Sequence, residues 1–217
     1  MRYKKKRKKR KQKIKPKIKA LIFDIGGVIA FYDHRIAARK MSKLINVPAK
    51  KIFDILDSSK NKFTNSYELG DLPDVYWAIM AKEFGVKKID IRKFGKLWNT
   101  IFWPNKKLFP FIKKLKKNYK VGLISNIGRL HENYLSRKYK LKNLFSIRVF
   151  SYEIKSRKPN PKIFRVILKK LKAKSREVIF VDDRIENVRG ARKLGIRGIC
   201  FKNNKQFFNE LKKLEVK

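Results

Sequence analysis

Six side chains of this 217-residue chain are of types that can do chemistry together, and most of them directly follow a short apolar run. Carboxylates can attack as nucleophiles or hold a divalent metal ion, a lysine can offset negative charge, and a hydroxyl can bind an anion. Such a set suits work on a phosphoryl group. The residues are, in chain order, Asp24, Ser125, Asn126, Lys158, Asp182 and Asp183.

The elements that must position these side chains are predicted by the apolar runs at 20–23, 121–124 and 178–181. A short apolar run that ends in turn residues predicts a buried parallel strand. Parallel strands end at one edge of a sheet, where open α/β sheets bind their ligands. One acidic residue at a strand end is more often a turn or helix cap, and the acidic pair could cap the helix that follows it. The order of these segments along the chain favours one site that contains all of these side chains over a set of separate caps.

In this order the segments resemble the four motifs of the haloacid dehalogenase (HAD) superfamily. In that superfamily the motifs contribute a nucleophilic Asp, a Ser or Thr, a Lys and a terminal acidic pair. The resemblance extends over about residues 20–202. The matching segments are residues 23–28, 123–126, 157–159 and 180–183.

The resemblance implies a phosphatase that acts on a small phosphorylated substrate. Asp24 would attack phosphorus and form an aspartyl-phosphate, which water then hydrolyses. Lys158 would offset the charge of the nucleophile and the phosphoryl group. Ser125 and nearby backbone N–H groups would hold the phosphoryl oxygens, with Asn126 beside them in the catalytic set.

The resemblance also implies Mg²⁺ as the cofactor. Asp24 and Asp183 are the expected ligands, together with the backbone carbonyl of Gly26. Asp182 would support them or serve as an alternate ligand. Mg²⁺ suits such all-oxygen ligands, and adjacent carboxylates repel each other unless a cation compensates.

Gly26 departs from the usual pattern, because most phosphatases of the superfamily carry there a second Asp that protonates the leaving group. Losing such a group costs about 10²–10⁴-fold in rate. The departure implies a slow enzyme, a substrate with a good leaving group, or no catalysis. Asp33 and His34 could act as substitute acids, although His34 is more readily a polar residue at the start of a helix.

One branch of the superfamily, similar to bacterial α-glucose-1-phosphate phosphatases, also has Gly two residues after the nucleophile. Residues 125–131 resemble that branch's second motif, which ends here in His131. We expect His131 to orient a loop or cap a helix. The anomeric oxygen of a sugar phosphate leaves more easily than an ordinary alkoxide, so a sugar phosphate such as glucose 1-phosphate is the expected substrate.

Two alternatives remain open in the sequence. The 2-haloacid dehalogenases share the fold and also lack the second Asp, but they need no metal, so the acidic pair favours the phosphatase. The other alternative is a catalytically weak or inactive binding protein that retains the fold.

The predicted fold is α/β: a three-layer, Rossmann-like core around a parallel sheet, with an inserted all-helical cap. After residue 105, strand and helix patterns alternate, which predicts a parallel sheet covered on both faces. Between residues 33 and 104 strand patterns are missing, and apolar residues recur at helical spacing, the last such pattern over 94–102. We therefore assign residues 20–32 and 105–217 to the core and 33–104 to the cap.

The formal net charge is +43, and residues 1–19 contribute thirteen Lys or Arg and no acid. This stretch is predicted to be a disordered basic arm. It could associate weakly with nucleic acid or another polyanion, or it could be a solvated tail. The rest of the chain still carries +30, so the excess of positive charge is general.

Cys200 is the sole cysteine, so an intramolecular disulfide is excluded. We expect it to be buried and inert in the last strand. The sequence has no apolar run of transmembrane length and no apolar segment after the basic arm, which predicts no membrane insertion and a cytoplasmic location.

Overall fold

A computed structural model of the chain describes residues 17–56, 62–70, 75–87 and 89–216. The strands are β1 (Ala20–Phe23), β2 (Ala30–Tyr32), β3 (Phe102–Pro104), β4 (Lys120–Ser125), β5 (Ile147–Phe150), β6 (Val178–Asp182) and β7 (Arg197–Cys200). The helices before residue 99 are α1 (His34–Ile45), α2 (Ala49–Leu56), α3 (Lys62–Glu68), α4 (Val75–Phe84) and α5 (Ile91–Trp98). The later helices are α6 (Leu108–Leu115), α7 (Arg129–Lys138), α8 (Leu141–Leu144), α9 (Ser151–Ile154), α10 (Pro161–Leu171), α11 (Ile185–Lys193) and α12 (Asn204–Lys213).

The main sheet is parallel, in the order β5-β4-β1-β6-β7, which confirms the predicted α/β class. Phe23, the last residue of β1, pairs with Leu123 on one side and with Val181 on the other. The three central strands therefore end at nearly the same level. The residues that follow them emerge together at one edge, as the sequence pattern predicted.

Both faces of the sheet are buried, because successive residues of a strand point to opposite sides. Phe23 and Val181 pack on one face with Phe207 of α12, and Ile22 and Phe180 pack on the other face with residues of α10. Strands covered on both sides must be almost wholly apolar. This requirement explains why β1 and β6 are continuous apolar runs.

The helices between residues 34 and 98 enclose an apolar cluster of their own, which includes the buried Phe84, Phe94 and Trp98. Helix α1 begins where the side chain of Asp33 accepts a hydrogen bond from the Arg35 N–H. His34 is thus the first residue of a helix, as predicted. Helix α5 is capped in the same way by Asp90.

Several elements differ from the sequence prediction. The helix predicted over 94–102 ends at Trp98, and β3 then pairs antiparallel with β2, Tyr32 opposite Phe102. These three-residue strands are too short to show a periodic pattern, and their pairing is between residues far apart in the sequence. Helix α12 was not predicted, although Asn203 caps it and Phe207 and Leu211, four residues apart, are buried.

The start of the fold lies inside the segment predicted as a basic arm. Residues 1–16 lie outside the described residues. Ile18 is buried, the N–H of Lys19 donates to Glu177 O, and Lys19 O accepts from the N–H of Lys120. Ile18 and Lys19 therefore belong with the sheet.

Cys200 lies in the predicted last strand and is half-buried, with its thiol 3.4 Å from the carbonyl oxygen of Asp183. Burial raises the pKa of this thiol, so the unreactive protonated form is favoured. Among the described residues, none of the helices is both long and apolar enough to cross a membrane.

Candidate active site

Three carboxylates gather at the edge where the central strands end. Asp24 follows β1, Asp182 is the last residue of β6, and Asp183 comes next. The backbone N–H of Asp24 donates to Val181 O at 2.9 Å, which fixes the end of β1 beside the end of β6. One carboxylate oxygen from each of the three residues lies within 4.8 Å of the other two. The sequence prediction that these groups converge agrees with this geometry.

Lys158 lies between two of the carboxylates. Its Nζ is 2.8 Å from Asp24 Oδ2 and 2.6 Å from Asp182 Oδ2, and the residue is only 4% exposed. Asn126 holds the backbone of Lys158: its Oδ1 accepts from the lysine N–H at 2.8 Å and its Nδ2 donates to the lysine carbonyl at 3.0 Å. Asn126, predicted as a catalytic residue, lines the cavity of the site and has both ends of its amide engaged with the backbone of Lys158.

Asp182 is fully buried and makes several hydrogen bonds. Oδ1 accepts from the Arg184 N–H at 2.9 Å and from Asn187 Nδ2 at 3.0 Å, while Oδ2 faces Lys158. The residue thus holds the turn between β6 and α11 and also contacts the lysine. Asp183 is less buried, which leaves its oxygens more available to a ligand.

Gly27 leaves room for the side chain of Asp183, which lies directly against it. Its φ is +68°, a conformation that other residues rarely adopt. A Cβ at this position would lie 2.2 Å from Asp183 Oδ2. The adjacent glycines signalled a turn in the sequence, but this contact comes from a residue far along the chain.

In the described part of the chain, one buried lysine bonds two of the three clustered carboxylates. Burial is the main cause that raises the pKa of Asp24; Lys158 opposes it, and Asp182 and Asp183 reinforce it. Burial and Asp182 also raise the pKa of Asp183. One buried lysine thus faces three carboxylates, and an added cation would complete the compensation. An all-oxygen donor set of this kind fits a hard divalent cation.

The backbone at Gly26 passes close to Tyr32. A Cβ on Gly26 would lie 3.1 Å from Tyr32 Cε1, so the tyrosine ring covers the side where a larger residue would extend. Asp33 is no substitute acid here, because its carboxylate bonds Arg35 and caps α1, and it does not line the cavity. His34 does line the cavity, with its ring against Tyr32.

A cavity of about 100 Å³ lies above the carboxylates. Ser125, which is buried, and Lys158 belong to its polar part. Aromatic side chains make up much of the remaining wall. They are Tyr32, Tyr67, Trp98, Phe102 and His131.

The cavity also includes an ion pair that sequence reasoning missed. Arg157 Nη2 lies 2.6 Å from Glu68 Oε2, and the guanidinium also bonds the side chain of Asn65. Nearby, Tyr67 OH accepts from the Leu130 N–H at 3.2 Å. Burial raises the pKa of Glu68 to about 7 although Arg157 opposes the shift. These contacts join α3 to α7 and to the segment between α9 and α10, and an isolated Glu offers no sequence signal for them.

His131 lies near the start of α7 and is buried. Its Nδ1 is 2.8 Å from Asn99 Oδ1. Burial lowers its pKa to about 3, so the ring is neutral near pH 7. Of the two roles expected for His131, capping a helix does not apply, since Gly128 is the residue at the N-terminus of α7. The ring instead contacts Asn99 in the segment between α5 and β3, which is in line with the other expected role of orienting a loop.

Comparison with known proteins identifies relatives over most of the chain. The sequence profile of the haloacid dehalogenase-like hydrolases matches residues 26–201. A drimenol cyclase from Aspergillus calidoustus is 29% identical over 85% of this chain and 34% of its own length. A sesquiterpene phosphatase from Aspergillus oryzae is 23% identical over 90% of this chain and 96% of its own length. The chain thus spans about a third of the first relative and nearly all of the second.

A solved structure has the same fold. It is a HAD-family enzyme from Bacteroides thetaiotaomicron in complex with magnesium and inorganic phosphate. It superimposes with a TM-score of 0.74 at 24% sequence identity, over 88% of this chain and 99% of its own.

Proposed function

The chain belongs to the haloacid dehalogenase-like hydrolases, and from that membership and the geometry of its site we propose that it is a Mg²⁺-dependent phosphatase. Its substrate would be a small phosphorylated metabolite, such as the sugar phosphate glucose 1-phosphate. One observation carries the proposal: a buried lysine joins Asp24 to Asp182, while Asp183 completes a cluster of carboxylate oxygens.

Asp24 is the nucleophile in this proposal. Its carboxylate oxygen forms a bond to phosphorus as the bond to the leaving oxygen breaks, and the leaving group takes that electron pair. Water then attacks the aspartyl-phosphate and releases phosphate, which restores the carboxylate. Lys158 keeps Asp24 oriented and offsets negative charge, and Ser125 donates a hydrogen bond to a phosphoryl oxygen.

Asp24, Asp183 and the carbonyl oxygen of Gly26 would hold Mg²⁺, and Asp182 would keep the lysine in place. When bound, the ion neutralises charge so that a carboxylate can approach a phosphate dianion. The magnesium and phosphate in the complex of the Bacteroides enzyme, and the phosphatase from Aspergillus oryzae, support this assignment.

Two other functions agree less well with the site. A 2-haloacid dehalogenase would not need a cation, yet the carboxylate cluster has more negative charge than Lys158 can balance. A protein that only binds phosphorylated ligands would not require a carboxylate pointing at them, since like charges repel. The association of residues 1–19 with nucleic acid and a cytoplasmic location stay predictions.

Hydrolysis of p-nitrophenyl phosphate tests the proposal directly. We expect release of p-nitrophenol in Mg²⁺ and a loss of at least about 100-fold when EDTA removes the metal, because the ion contributes several kcal/mol to charge stabilisation. Re-addition of Mg²⁺ should restore the rate. A rate that is unchanged in EDTA, after exhaustive dialysis against the chelator, would contradict the metal-dependent mechanism.

Gly26 leads to a second prediction, on the leaving group. Because position 26 offers no side chain to protonate the departing oxygen, kcat/KM should be about 10²–10⁴-fold lower for an alkyl phosphate than for p-nitrophenyl phosphate. Gly26→Asp should bring kcat/KM for the alkyl phosphate closer to that for p-nitrophenyl phosphate, provided that the Tyr32 ring moves aside to admit the new side chain. Gly26→Ala is the matched control, since it introduces the same Cβ without an acid. Equal rates for both substrates in the native protein would show that another group supplies the proton.

A further inference from the structure

One ring nitrogen of His131 makes no hydrogen bond within the part of the chain that the structure describes. Nδ1 contacts Asn99, but Nε2 makes no hydrogen bond to any of the described residues, and the residue is only 8% exposed. A buried polar atom without a hydrogen bond costs free energy, so such atoms are rare in folded proteins. A ligand that supplies the missing bond would remove that cost.

Asn99 determines which kind of partner Nε2 requires. The atom of Asn99 that faces His131 is the amide oxygen, which can only accept a hydrogen bond. Nδ1 of His131 must therefore carry the hydrogen and donate it. The ring is neutral, since burial lowers its pKa to about 3 and the neighbouring His34 acts in the same direction. A neutral ring with hydrogen on Nδ1 has a lone pair on Nε2, so Nε2 is an acceptor.

The ring that carries this acceptor is packed between two other rings and lines the cavity of the site. The rings of Trp98 and Phe102 meet His131 edge to face, with centroids 4.4 and 5.0 Å away. All three rings line the same cavity as Asp24 and Lys158. When the phosphoryl group of a substrate lies at Asp24, the rest of the substrate must fill the remaining part of the cavity.

We infer that Nε2 of His131 accepts a hydrogen bond from an O–H or N–H group on the leaving group of the substrate. This inference rests on the proposed phosphatase function and makes His131 a specificity-determining residue for it. The substrate class is then the phosphate monoesters of hydroxylated compounds, including sugars and other polyols, or of amino compounds. A phosphorylated hydrocarbon, such as a plain terpene alcohol, offers no donor and would leave Nε2 unpaired.

Pairs of substrates that differ by one donor test the inference in the native protein. Suitable pairs are glycerol 1-phosphate with propyl phosphate, and glucose 1-phosphate with each of its monodeoxy analogues. In at least one pair we expect kcat/KM to be about 10–100-fold higher for the member with the donor. Equal values in every pair would overturn the inference. Because p-nitrophenyl phosphate has no donor, its hydrolysis reports on the phosphatase proposal separately.

Variants of His131 test whether this residue causes the preference for substrates with a hydrogen-bond donor. His131→Phe retains a ring without an acceptor and should abolish the preference for the donor-bearing substrate. His131→Gln can place an amide oxygen in the same region and should restore part of it. Lys50→Met changes an exposed ion pair outside the cavity, so this control variant should retain the preference for the donor-bearing substrate. A preference that persists in His131→Phe would show that another group recognises the donor.

A spectroscopic measurement covers the case in which His131→Phe does not fold. With two histidines in the chain, ¹⁵N labelling of histidine gives two ring systems, which His34→Gln distinguishes. We expect His131 to carry its hydrogen on Nδ1 at pH 7. The Nε2 resonance should move upfield when the Asp24→Asn protein binds glucose 1-phosphate or glycerol 1-phosphate. A hydrogen on Nε2, or no movement on saturation with both ligands, would overturn the inference.

Discussion

Asp24→Asn is expected to lower the rate of p-nitrophenyl phosphate hydrolysis by about 10⁴-fold or more, because an amide oxygen is too weak a nucleophile to form the covalent intermediate. The change is nearly isosteric. It also removes one of three mutually repelling carboxylates, so the protein should remain folded. The measurement is the steady-state rate in saturating Mg²⁺, beside a thermal unfolding curve for each protein.

Asp33→Asn is the matched control for Asp24→Asn. Asp33 lies nearby in the sequence, but its carboxylate caps α1 and bonds Arg35. This control should lose at most about 1 kcal/mol of stability and retain its activity. Acid quenching of the native enzyme during turnover should also show one phosphoryl group on the peptide that contains Asp24. A phosphorylated peptide from elsewhere, or an active Asp24→Asn protein, would refute the assignment of the nucleophile.

Lys158→Met is expected to inactivate the protein and to reduce its free energy of unfolding by about 3–5 kcal/mol at pH 7, since it leaves buried charges without their partner. The lysine lies 2.8 Å from Asp24 and 2.6 Å from Asp182, and all three side chains are less than a tenth exposed. Urea unfolding monitored by circular dichroism measures the loss.

The reduction in the free energy of unfolding caused by Lys158→Met should depend on pH, and the pKa of Asp24 determines the direction. Without Lys158 the pKa of Asp24, already raised by burial, rises further because the lysine was what lowered it. The folded state then binds more protons than the unfolded state, so the stability of the variant should rise as the pH falls towards the ordinary range of a carboxyl group. The destabilisation relative to the native protein should therefore be smaller at low pH than at pH 8.

Lys50→Met provides the matched control, because Lys50 and Asp54 form an exposed ion pair at 2.9 Å. Exposed pairs contribute about 0–1 kcal/mol, so this variant should unfold almost like the native protein. If Lys158→Met were no less stable than Lys50→Met, the buried lysine would not compensate the carboxylates as described.

The site residues that the sequence predicted are of two kinds. Some directly follow a buried strand, and the others belong to a recognisable motif. Asp24, Ser125 and the acidic pair could be found because apolar runs predict strands, and parallel strands end at one edge. Lys158 was found by the resemblance of its segment. The short pair of strands β2 and β3 and the ion pair of Glu68 with Arg157 had no such signal.

The sequence by itself determined the fold class, the order along the chain of the five strands of the main sheet and the residue types at their ends. It could do so because burial on both faces of a sheet requires apolar runs, and these are visible without knowing their neighbours. Only the tertiary structure decided that Asn126 holds Lys158 and that Gly27 makes room for Asp183. The same is true of Nε2 of His131, which makes no hydrogen bond to the residues that the structure describes. These properties depend on distances between residues far apart in the sequence, and such distances exist only once the chain has folded.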